Sequence, residues 1–302
     1  MRRASLTLIL SIAACLLQAQ PPQESVSENT DLTSIGSDEL FDFENTTARG
    51  YESAGMYGEC KIADRLFPLT KGLNGNDDRK EVIRLAYPYY CIARLIILKK
   101  DGKKVEGTGF FISERCVITA AHNIYFDDTK EFAKEVTVIP GANVPLDYPV
   151  LGQATATTMR CMKKYTEDPK KNRKYDYGAV ILPDDTLFEN VGSYLGYNDI
   201  DSLGKSNMDM ELSGYPRADN KMPRQLKSTG KITRYDEHHL HYIMDTSKGQ
   251  SGSPVFIWNN KRECIVVGMH HHDNGRSNQA VRVNEAVMAK WNEWSKIKPQ
   301  KQ

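Results

Sequence analysis

Ser251 lies in a glycine-rich stretch whose residue types suit nucleophilic chemistry. Gly249 and Gly252 stand on either side of it, and an apolar run begins at Pro254. Because glycine accepts either sign of φ at low cost, the backbone can bend tightly around the serine. Such a bend can direct the N–H groups of Gly249 and Ser251 at one point, where they would stabilise the charge that develops on an attacked carbonyl oxygen. We therefore expect Ser251 to be a nucleophile with an oxyanion hole beside it.

A base and an orienting acid, which a serine nucleophile requires, both occur earlier in the chain. His122 follows the strand-like apolar run 116–118, and Asp176 comes just before a second such run at 179–182. Alone, each could be a packed histidine or a turn carboxylate. The order His, Asp, Ser is that of the chymotrypsin-type triad, in which His122 would take the proton of Ser251 and Asp176 would hold the imidazole tautomer. Together the three residues predict acyl transfer to water.

Further motifs give the chain a resemblance to a known family. They are Ala-Tyr-Pro-Tyr at 86–89, Tyr-Asp-Tyr-Gly-Ala at 175–179, Ser-Gly-Tyr-Pro at 213–216, Met-Asp-Thr at 244–246 and Gly-Gln-Ser-Gly-Ser-Pro at 249–254. With these motifs the chain resembles the bacterial glutamyl endopeptidases, secreted serine proteases of the chymotrypsin fold, over most of its length. The resemblance implies hydrolysis of peptide bonds after Glu, less readily after Asp, through an acyl-enzyme. It also implies that Ser251, rather than Ser253, is the nucleophile.

The same resemblance implies that Thr246 and His270 bind the acidic side chain of the substrate. A buried carboxylate is costly unless it is hydrogen-bonded, and a hydroxyl and an imidazole N–H supply donors without a fixed positive charge. His271 and His272 follow directly, so the sequence leaves open which histidine faces the pocket. Successive strand residues point to opposite faces, so at most two of the three could converge on a metal ion. We expect no metal and no cofactor.

The N-terminal end has the composition of a secretory signal. Two arginines at positions 2 and 3 precede an apolar run from Leu6 to Leu17, which is too short for a comfortable membrane span. We interpret residues 1–20 as a signal peptide and the protein as secreted. A lipid anchor on Cys15, which follows Ile-Ala-Ala, is the alternative and the one expected route to a membrane.

Residues 21–71 hold ten acidic and four basic residues and little that could form a core. This composition favours disorder, and we interpret the segment as an acidic pro-segment. The resemblance implies a mature start near Gly72, so Lys71 would be cut by an activating protease of trypsin-like specificity. Residues 72–302 would then form the protease domain.

The body of the chain alternates short apolar runs with Gly, Pro and Asp breaks, which is typical of an all-β barrel protein. Together with the resemblance, this pattern predicts a chymotrypsin-like double β-barrel with a C-terminal α-helix. We expect barrel one at about 82–185, barrel two at about 190–283 and the helix at 284–296. Asn284 can cap that helix, and Trp291 and Trp294 fall on its packing face. The predicted strands are 90–98, 107–112, 117–121, 136–139, 154–161, 210–214, 226–235, 240–244, 254–258, 264–269 and 279–283.

The stretch 163–174 is strongly basic, with six Lys or Arg among its twelve residues. A nucleic-acid site would also need several aromatic side chains interleaved with the basic ones for base stacking, and the stretch has only Tyr165. We therefore interpret the stretch as a solvated loop. The expected partners are protein or peptide substrates with acidic residues, and no nucleic acid.

Removal of residues 1–71 would leave four cysteines, at positions 91, 116, 161 and 264. Secretion permits two disulfides with three possible pairings, but free buried thiols are equally compatible with the sequence. Asn123 stands beside His122, where some members of the similar family carry a cysteine, so a disulfide at that place is absent.

Gln250 precedes the expected nucleophile, at a position where animal chymotrypsin-like enzymes carry Asp. In those enzymes the Asp pairs with an N-terminus that cleavage has freed. A neutral glutamine cannot form that ion pair, so we expect another contact to take its place during activation.

Two other functions remain compatible with the sequence. The chain could be a protease of the same fold with a different residue preference at the cleaved bond. It could also be a non-catalytic binding module on a protease scaffold, although the presence of all three triad residue types argues against that function.

Overall fold

A computed structural model describes residues 77–142, 150–203, 209–217, 224–259, 261–273 and 277–298, and the backbone alone of 40–43. The proposed signal peptide with Cys15, the rest of the acidic segment, and Lys71 lie outside the described residues. None of the helices in the described ranges is long and apolar enough to cross a membrane.

Strands dominate the described part of the chain, and the all-β class predicted from the sequence is confirmed. The strands are β1 (Leu40–Phe43), β2 (Lys80–Glu81), β3 (Ile92–Leu98), β4 (Lys104–Phe111), β5 (Cys116–Thr119), β6 (Tyr125–Phe126), β7 (Glu131–Phe132), β8 (Glu135–Pro140), β9 (Ala154–Ala156), β10 (Thr158–Met162), β11 (Gly178–Ile181), β12 (Gly196–Tyr197), β13 (Asp209–Gly214), β14 (Leu226–Tyr235), β15 (His239–Tyr242), β16 (Pro254–Trp258), β17 (Cys264–Asp273) and β18 (Asn278–Arg282). The α-helices are α1 (Ala121–Ile124), α2 (Lys163–Glu167), α3 (Thr186–Val191) and α4 (Glu285–Ser295). Single turns of 3₁₀ helix lie at Tyr89–Cys91, Arg173–Tyr175 and Asp201–Leu203.

The first sheet joins eight strands in the order β1-β10-β11-β5-β4-β3-β8-β9 and curls into a nearly closed barrel. Apolar side chains such as Leu95, Phe110 and Ile118 fill it without solvent exposure. The antiparallel register pairs Gly178 of β11 with Thr119 of β5. Because Asp176 lies two residues before Gly178 and His122 three residues after Thr119, this register brings the two to the same end of the barrel.

The second sheet closes into a ring of six strands. Its order is β12-β17-β16-β13-β14-β15-β18, β17 also pairs with β18, and β2 adds to β14. The pairing of β16 with β17 sets Pro254 opposite Met269. Ser251 and His270, which stand just beyond these two residues, therefore come close together at one end of the second barrel.

Several predicted boundaries differ from the structure. The strand expected at 117–121 ends at Thr119, because α1 begins at Ala121. The strand expected at 264–269 continues to Asp273 and includes all three consecutive histidines. The basic stretch 163–174, expected as a loop, contains α2 and a 3₁₀ turn.

The C-terminal helix α4 begins after Asn284, whose side chain accepts a hydrogen bond from the Val287 N–H at 3.0 Å, as a capping asparagine does. Trp291 and Trp294 are fully buried. The Trp291 ring packs edge-on against Phe110 of β4, with a centroid distance of 5.7 Å. The prediction that the two tryptophans anchor the helix in the core is confirmed.

The four described cysteines, Cys91, Cys116, Cys161 and Cys264, are free and buried. Burial raises the pKa of each thiol, which keeps it protonated. Of the two possibilities that the sequence left open, the structure contains the free thiols.

Candidate active site

His122 and Asp176 meet at the end of the first barrel. The backbone N–H of His122 donates to Asp176 Oδ1 at 3.0 Å, and His122 Nδ1 lies 2.8 Å from Asp176 Oδ2. Asp176 is 5% exposed, whereas the His122 side chain is 35% exposed. The carboxylate thus holds the ring from behind, and the ring remains accessible from the solvent side.

The electrostatics of the pair favour a charged carboxylate. Burial alone would raise the pKa of Asp176, but the imidazoles of His122 and His271 hold it well below its usual range. Burial pushes the pKa of His122 down, yet the charge and hydrogen bond of Asp176 outweigh burial and raise it above 6.5. Asp176 therefore stabilises a protonated His122, as an orienting acid does for a general base.

The turn before β16 has the backbone geometry expected around Ser251. Gly249 and Gly252 have φ values of 97° and 89°, which L side chains rarely adopt. A Cβ on Gly252 would lie 2.0 Å from the carbonyl oxygen of Thr108. The N–H groups of Gln250, Gly252 and Ser253 donate to protein carbonyls, and within the described ranges no hydrogen bond uses those of Gly249 or Ser251. These two N–H groups are therefore available to a ligand.

One cleft brings the expected site residues together. Its lining includes His122, Asp176 and Ser251, and also the two residues expected in the substrate pocket, Thr246 and His270. Three basic side chains, Lys170, Arg173 and Lys248, lie along the same cleft. The expected site residues thus line one cleft, although more than 120 residues of sequence separate His122 from Ser251.

Comparisons with known proteins agree with this geometry. No protein-family model matches the chain. The chain is 28% identical to the glutamyl endopeptidase of Bacillus licheniformis, over 97% of this chain and 96% of that protein. It is 26% identical to a Bacillus subtilis protein named extracellular metalloprotease, over 95% and 94% of the two chains. A solved structure of a Glu endopeptidase in complex with MPD covers 73% of this chain and 98% of its own, with a TM-score of 0.62 and 24% identity, which shows the fold.

The chain is a serine endopeptidase of the chymotrypsin fold, related to the glutamyl endopeptidases. The alignments with the endopeptidase cover nearly the whole length of both Bacillus proteins. Within the described residues, no group of three or more His, Cys, Asp or Glu side chains is arranged to hold a metal ion.

The three consecutive histidines of the endopeptidase differ in surroundings. His270 pairs with Ala280 and His272 with Gln279, so His271 is the extra residue of a β-bulge in β17. The simple alternation of faces expected from the sequence therefore fails here, and all three line the cleft. His270 and His271 are buried, and His272 is half-buried with its Nε2 2.8 Å from an Arg173 nitrogen.

His271, one of the three histidines that the sequence left open for the pocket, makes a contact that the sequence did not predict. Its Nδ1 lies 3.2 Å from Asp176 Oδ2, and its ring stacks on His239 at a centroid distance of 5.5 Å. Asp176 therefore receives hydrogen bonds from His271 as well as from His122. The bulge that creates this contact has no signal in the sequence beyond the run of histidines.

The two residues expected in the pocket are held by buried polar partners. Thr246 Oγ1 donates to Asn278 Oδ1 at 2.9 Å. His270 Nδ1 lies 2.7 Å from the hydroxyl of Tyr242. Burial lowers the pKa of His270 to about 3, with help from neighbouring His271 and His122, so the His270 imidazole is neutral at physiological pH.

Residues of barrel one hold the turn of barrel two that carries Ser251. The Thr108 N–H donates to the Ser251 carbonyl at 3.0 Å, and Thr108 Oγ1 donates to the Gly249 carbonyl at 2.9 Å. Asn123 Nδ2 donates to the same Ser251 carbonyl at 2.9 Å. The sequence analysis used Asn123 only to conclude that no disulfide forms at that place. In the structure, Asn123 connects the helix of His122 to the backbone of Ser251.

Replacement of Thr108 with Val should lower the free energy of unfolding by about 2 kcal/mol or more. The fully buried hydroxyl donates to the Gly249 carbonyl and accepts from the Tyr215 N–H at 2.9 Å, so both backbone groups would lose a partner. Urea unfolding of wild type and variant measures the difference. The matched control is Thr137→Val, which removes a part-buried contact to Thr155 far from the turn. A Thr108→Val protein no less stable than this control would contradict the assigned role.

Proposed function

We propose that the endopeptidase is secreted and hydrolyses peptide bonds after Glu, less readily after Asp, through a His122–Asp176–Ser251 triad and an acyl-enzyme. The observation that carries the proposal is the 2.8 Å contact of His122 Nδ1 with Asp176 Oδ2, on the cleft that Ser251 also lines. A serine hydroxyl is a weak nucleophile until a neighbouring base removes its proton.

Each group of the site has a defined role in this reaction. His122 Nε2 takes the proton of Ser251 Oγ as the oxygen attacks the substrate carbonyl, and Asp176 stabilises the resulting imidazolium. The N–H groups of Gly249 and Ser251 donate to the tetrahedral oxyanion. His122 then gives the proton to the leaving amine, and the same steps with water release the acyl group from Ser251.

The proposed preference for Glu rests on two neutral hydrogen-bond donors in the cleft. The Tyr242 hydroxyl, whose pKa burial raises well above its usual value, can donate to His270 Nδ1, which leaves the proton of the neutral imidazole on Nε2. We propose that this N–H binds the substrate carboxylate, and that the Thr246 hydroxyl turns its single proton from Asn278 Oδ1 to the same carboxylate when substrate is bound. The basic side chains of the cleft are matched in number by its carboxylates, so the proposed preference for Glu depends on these two donors and not on the charge of the whole cleft.

We also propose removal of residues 1–20 as a signal peptide and of 21–71 as a pro-segment, with a cut after Lys71 by a trypsin-like protease. Mass spectrometry of the N-terminus of the secreted protein tests this processing. An N-terminus at Gly72 supports it, and a lipid-modified Cys15 as the first residue would replace the soluble form by an anchored one.

Digestion of a mixed peptide pool by the secreted protein, read by mass spectrometry, tests the proposed specificity. We expect new C-termini at Glu, fewer at Asp, and none in a Ser251→Ala variant. A chelator such as EDTA is the control for metal-dependent cleavage and should leave the pattern unchanged. Cleavage mainly after another residue type would overturn the specificity alone, and full activity of Ser251→Ala would overturn the mechanism.

The rate should fall on acidification with a midpoint above pH 6.5. His122 must be neutral to accept the serine proton, and Asp176 raises the His122 pKa above 6.5, so the base is lost as the pH falls through that raised value. The pH dependence of kcat/KM on a Glu-containing peptide measures the midpoint. If the midpoint of this acidic limb lay below pH 6 in the wild-type protein, the assignment of His122 as the base would be contradicted.

A further inference from the structure

A buried arginine near the start of the described chain contacts the nucleophile turn. Arg79 Nη1 donates to Ser247 Oγ and to Gln250 Oε1, each at 2.7 Å. The Arg79 side chain is 2% exposed, and Gln250 is fully buried. The contact therefore joins residue 79 to the residue that directly precedes Ser251, across most of the length of the chain.

The guanidinium is fixed by its own carboxylate partner. Arg79 Nε and Nη2 donate to the carboxylate oxygens of Asp77, with the closest contact at 2.5 Å, and the Asp77 side chain is 5% exposed. Burial would raise the pKa of Asp77, but the hydrogen bonds and charge of Arg79 lower it, so the pair is ionised. A two-pronged ion pair of this kind sets the direction of the remaining Nη1 donor.

The segment that carries Arg79 is tied to the second barrel on both sides. The Asp78 N–H donates to Asp245 Oδ2 at 2.9 Å, and the Val82 N–H donates to the Gln225 carbonyl at 2.9 Å. Strand β2 (Lys80–Glu81) pairs with β14. The backbone on both sides of Arg79 is therefore hydrogen-bonded to the second barrel, which fixes the position of the Arg79 side chain beside the turn.

Gln250 connects Arg79 to the backbone of the turn by hydrogen bonds. Its Oε1 also accepts the Ser247 N–H at 2.9 Å, and its own N–H donates to the Ser247 carbonyl at 3.1 Å. Between Ser247 and Gln250 lies Gly249, one of the two residues whose N–H groups would form the oxyanion hole. If the turn left this conformation, a buried guanidinium would lose two acceptors, which is unfavourable.

We propose that Arg79 is a positioning residue that holds the Ser247–Ser251 turn, and with it the oxyanion hole, in the conformation that binds the transition state. The inference rests on the oxyanion hole of the proposed function. Gln250 stands where animal chymotrypsin-like enzymes carry an Asp that awaits a new N-terminus. Here an internal side chain, eight residues after Lys71, supplies the cation that contacts this position.

Paired variants of the mature protein test the proposal without leaving a buried charge unpaired. The double variant Asp77→Asn/Arg79→Gln replaces the ion pair by two neutral amides of similar size. We expect kcat on a Glu-containing peptide, and the affinity of a peptide boronate that needs the oxyanion hole, to fall together by about 100-fold. KM should change less than about threefold, because the double variant replaces neither Thr246 nor His270. Arg79→Lys keeps a positive charge beside Asp77, but one ammonium cannot match the fork of the guanidinium.

Arg224→Ala is the matched control. Arg224 pairs with Glu81 at 2.9 Å, so its loss disturbs the attachment of the same segment at a different residue, and kcat should stay within about twofold of wild type. In an Arg79→Ala variant, added guanidinium at millimolar concentration should restore part of kcat.

Wild-type kcat and boronate affinity in a folded double variant, or in folded Arg79→Lys, would overturn the proposal. An equal loss of kcat in Arg224→Ala would also overturn it, because the loss would then come from a weaker attachment of the 77–82 segment to the second barrel and not from the Arg79 contact with the turn. Wild-type protein measured in parallel separates this failure from that of the proposed function: Ser251-dependent cleavage in wild type with unchanged Arg79 variants refutes only the positioning role.

Discussion

Replacement of Asp176 with Asn should lower kcat of the endopeptidase by about 10⁴-fold and leave the fold intact. Asp176 Oδ2 lies 2.8 Å from His122 Nδ1, and a carboxylate there can only accept. An amide can turn its N–H₂ group to His122 Nδ1, which then becomes an acceptor and leaves the proton on Nε2. In that tautomer Nε2 cannot take the proton of Ser251. The kcat on a chromogenic peptide with Glu at the cleaved bond measures the loss, and circular dichroism reports the fold.

Asp127→Asn is the matched control for this experiment. Asp127 is a second carboxylate on the lining of the same cleft, but it pairs with Lys130 and does not contact His122 in the described structure. Its loss should change kcat by less than about threefold, as expected for an exposed ion pair. If Asp176→Asn retained kcat within tenfold of wild type, Asp176 would not be the orienting acid.

The second large effect should be on substrate preference. Replacement of His270 with Gln should lower the ratio of kcat/KM for Glu over Gln peptides by about 10- to 100-fold, because a hydrogen bond to a charged group contributes about 1.5–3 kcal/mol. Glu and Gln have nearly the same shape, so their ratio isolates the recognition of charge. Glutamine at position 270 keeps a polar group for the buried hydroxyl of Tyr242, which now lies 2.7 Å from His270 Nδ1.

His272→Gln is the control for the specificity experiment. His272 lines the same cleft but is half-buried, and it contacts Arg173 instead of Tyr242. It should leave the Glu-over-Gln ratio within about threefold. A larger effect from His272→Gln than from His270→Gln would assign the pocket to the other histidine, and an unchanged ratio in both would remove the histidines from recognition.

The sequence predicted many strand bounds and the types of the site residues, but not the distances between those residues. Strands such as Leu226–Tyr235 and Pro254–Trp258 match their predicted bounds, because apolar runs between turn residues mark them locally. The three residues of the proposed triad could be named from their types and order. Their distances could not, since they depend on strand pairings such as that of Gly178 with Thr119.

The residues that sequence reasoning missed act through contacts between distant segments. The Arg79–Gln250 hydrogen bond spans 171 positions, and the Asn123–Ser251 bond spans 128. Nothing in the local composition of either segment indicates its partner. The contact of His271 with Asp176 depends on a bulge whose position is set by the pairing of β17 with β18. Periodicity alone predicts regular alternation there, and it failed for that reason.

Covalent labelling of the protein with a fluorophosphonate, followed by peptide mapping, tests the central claim most directly. Such a reagent reacts with a serine that a neighbouring base has activated, which ordinary surface serines are not. We predict one adduct, on Ser251, that disappears in Ser251→Ala and forms far more slowly in His122→Ala. An adduct on Ser253 instead, or no adduct on protein that still cleaves Glu-containing peptides, would contradict the triad.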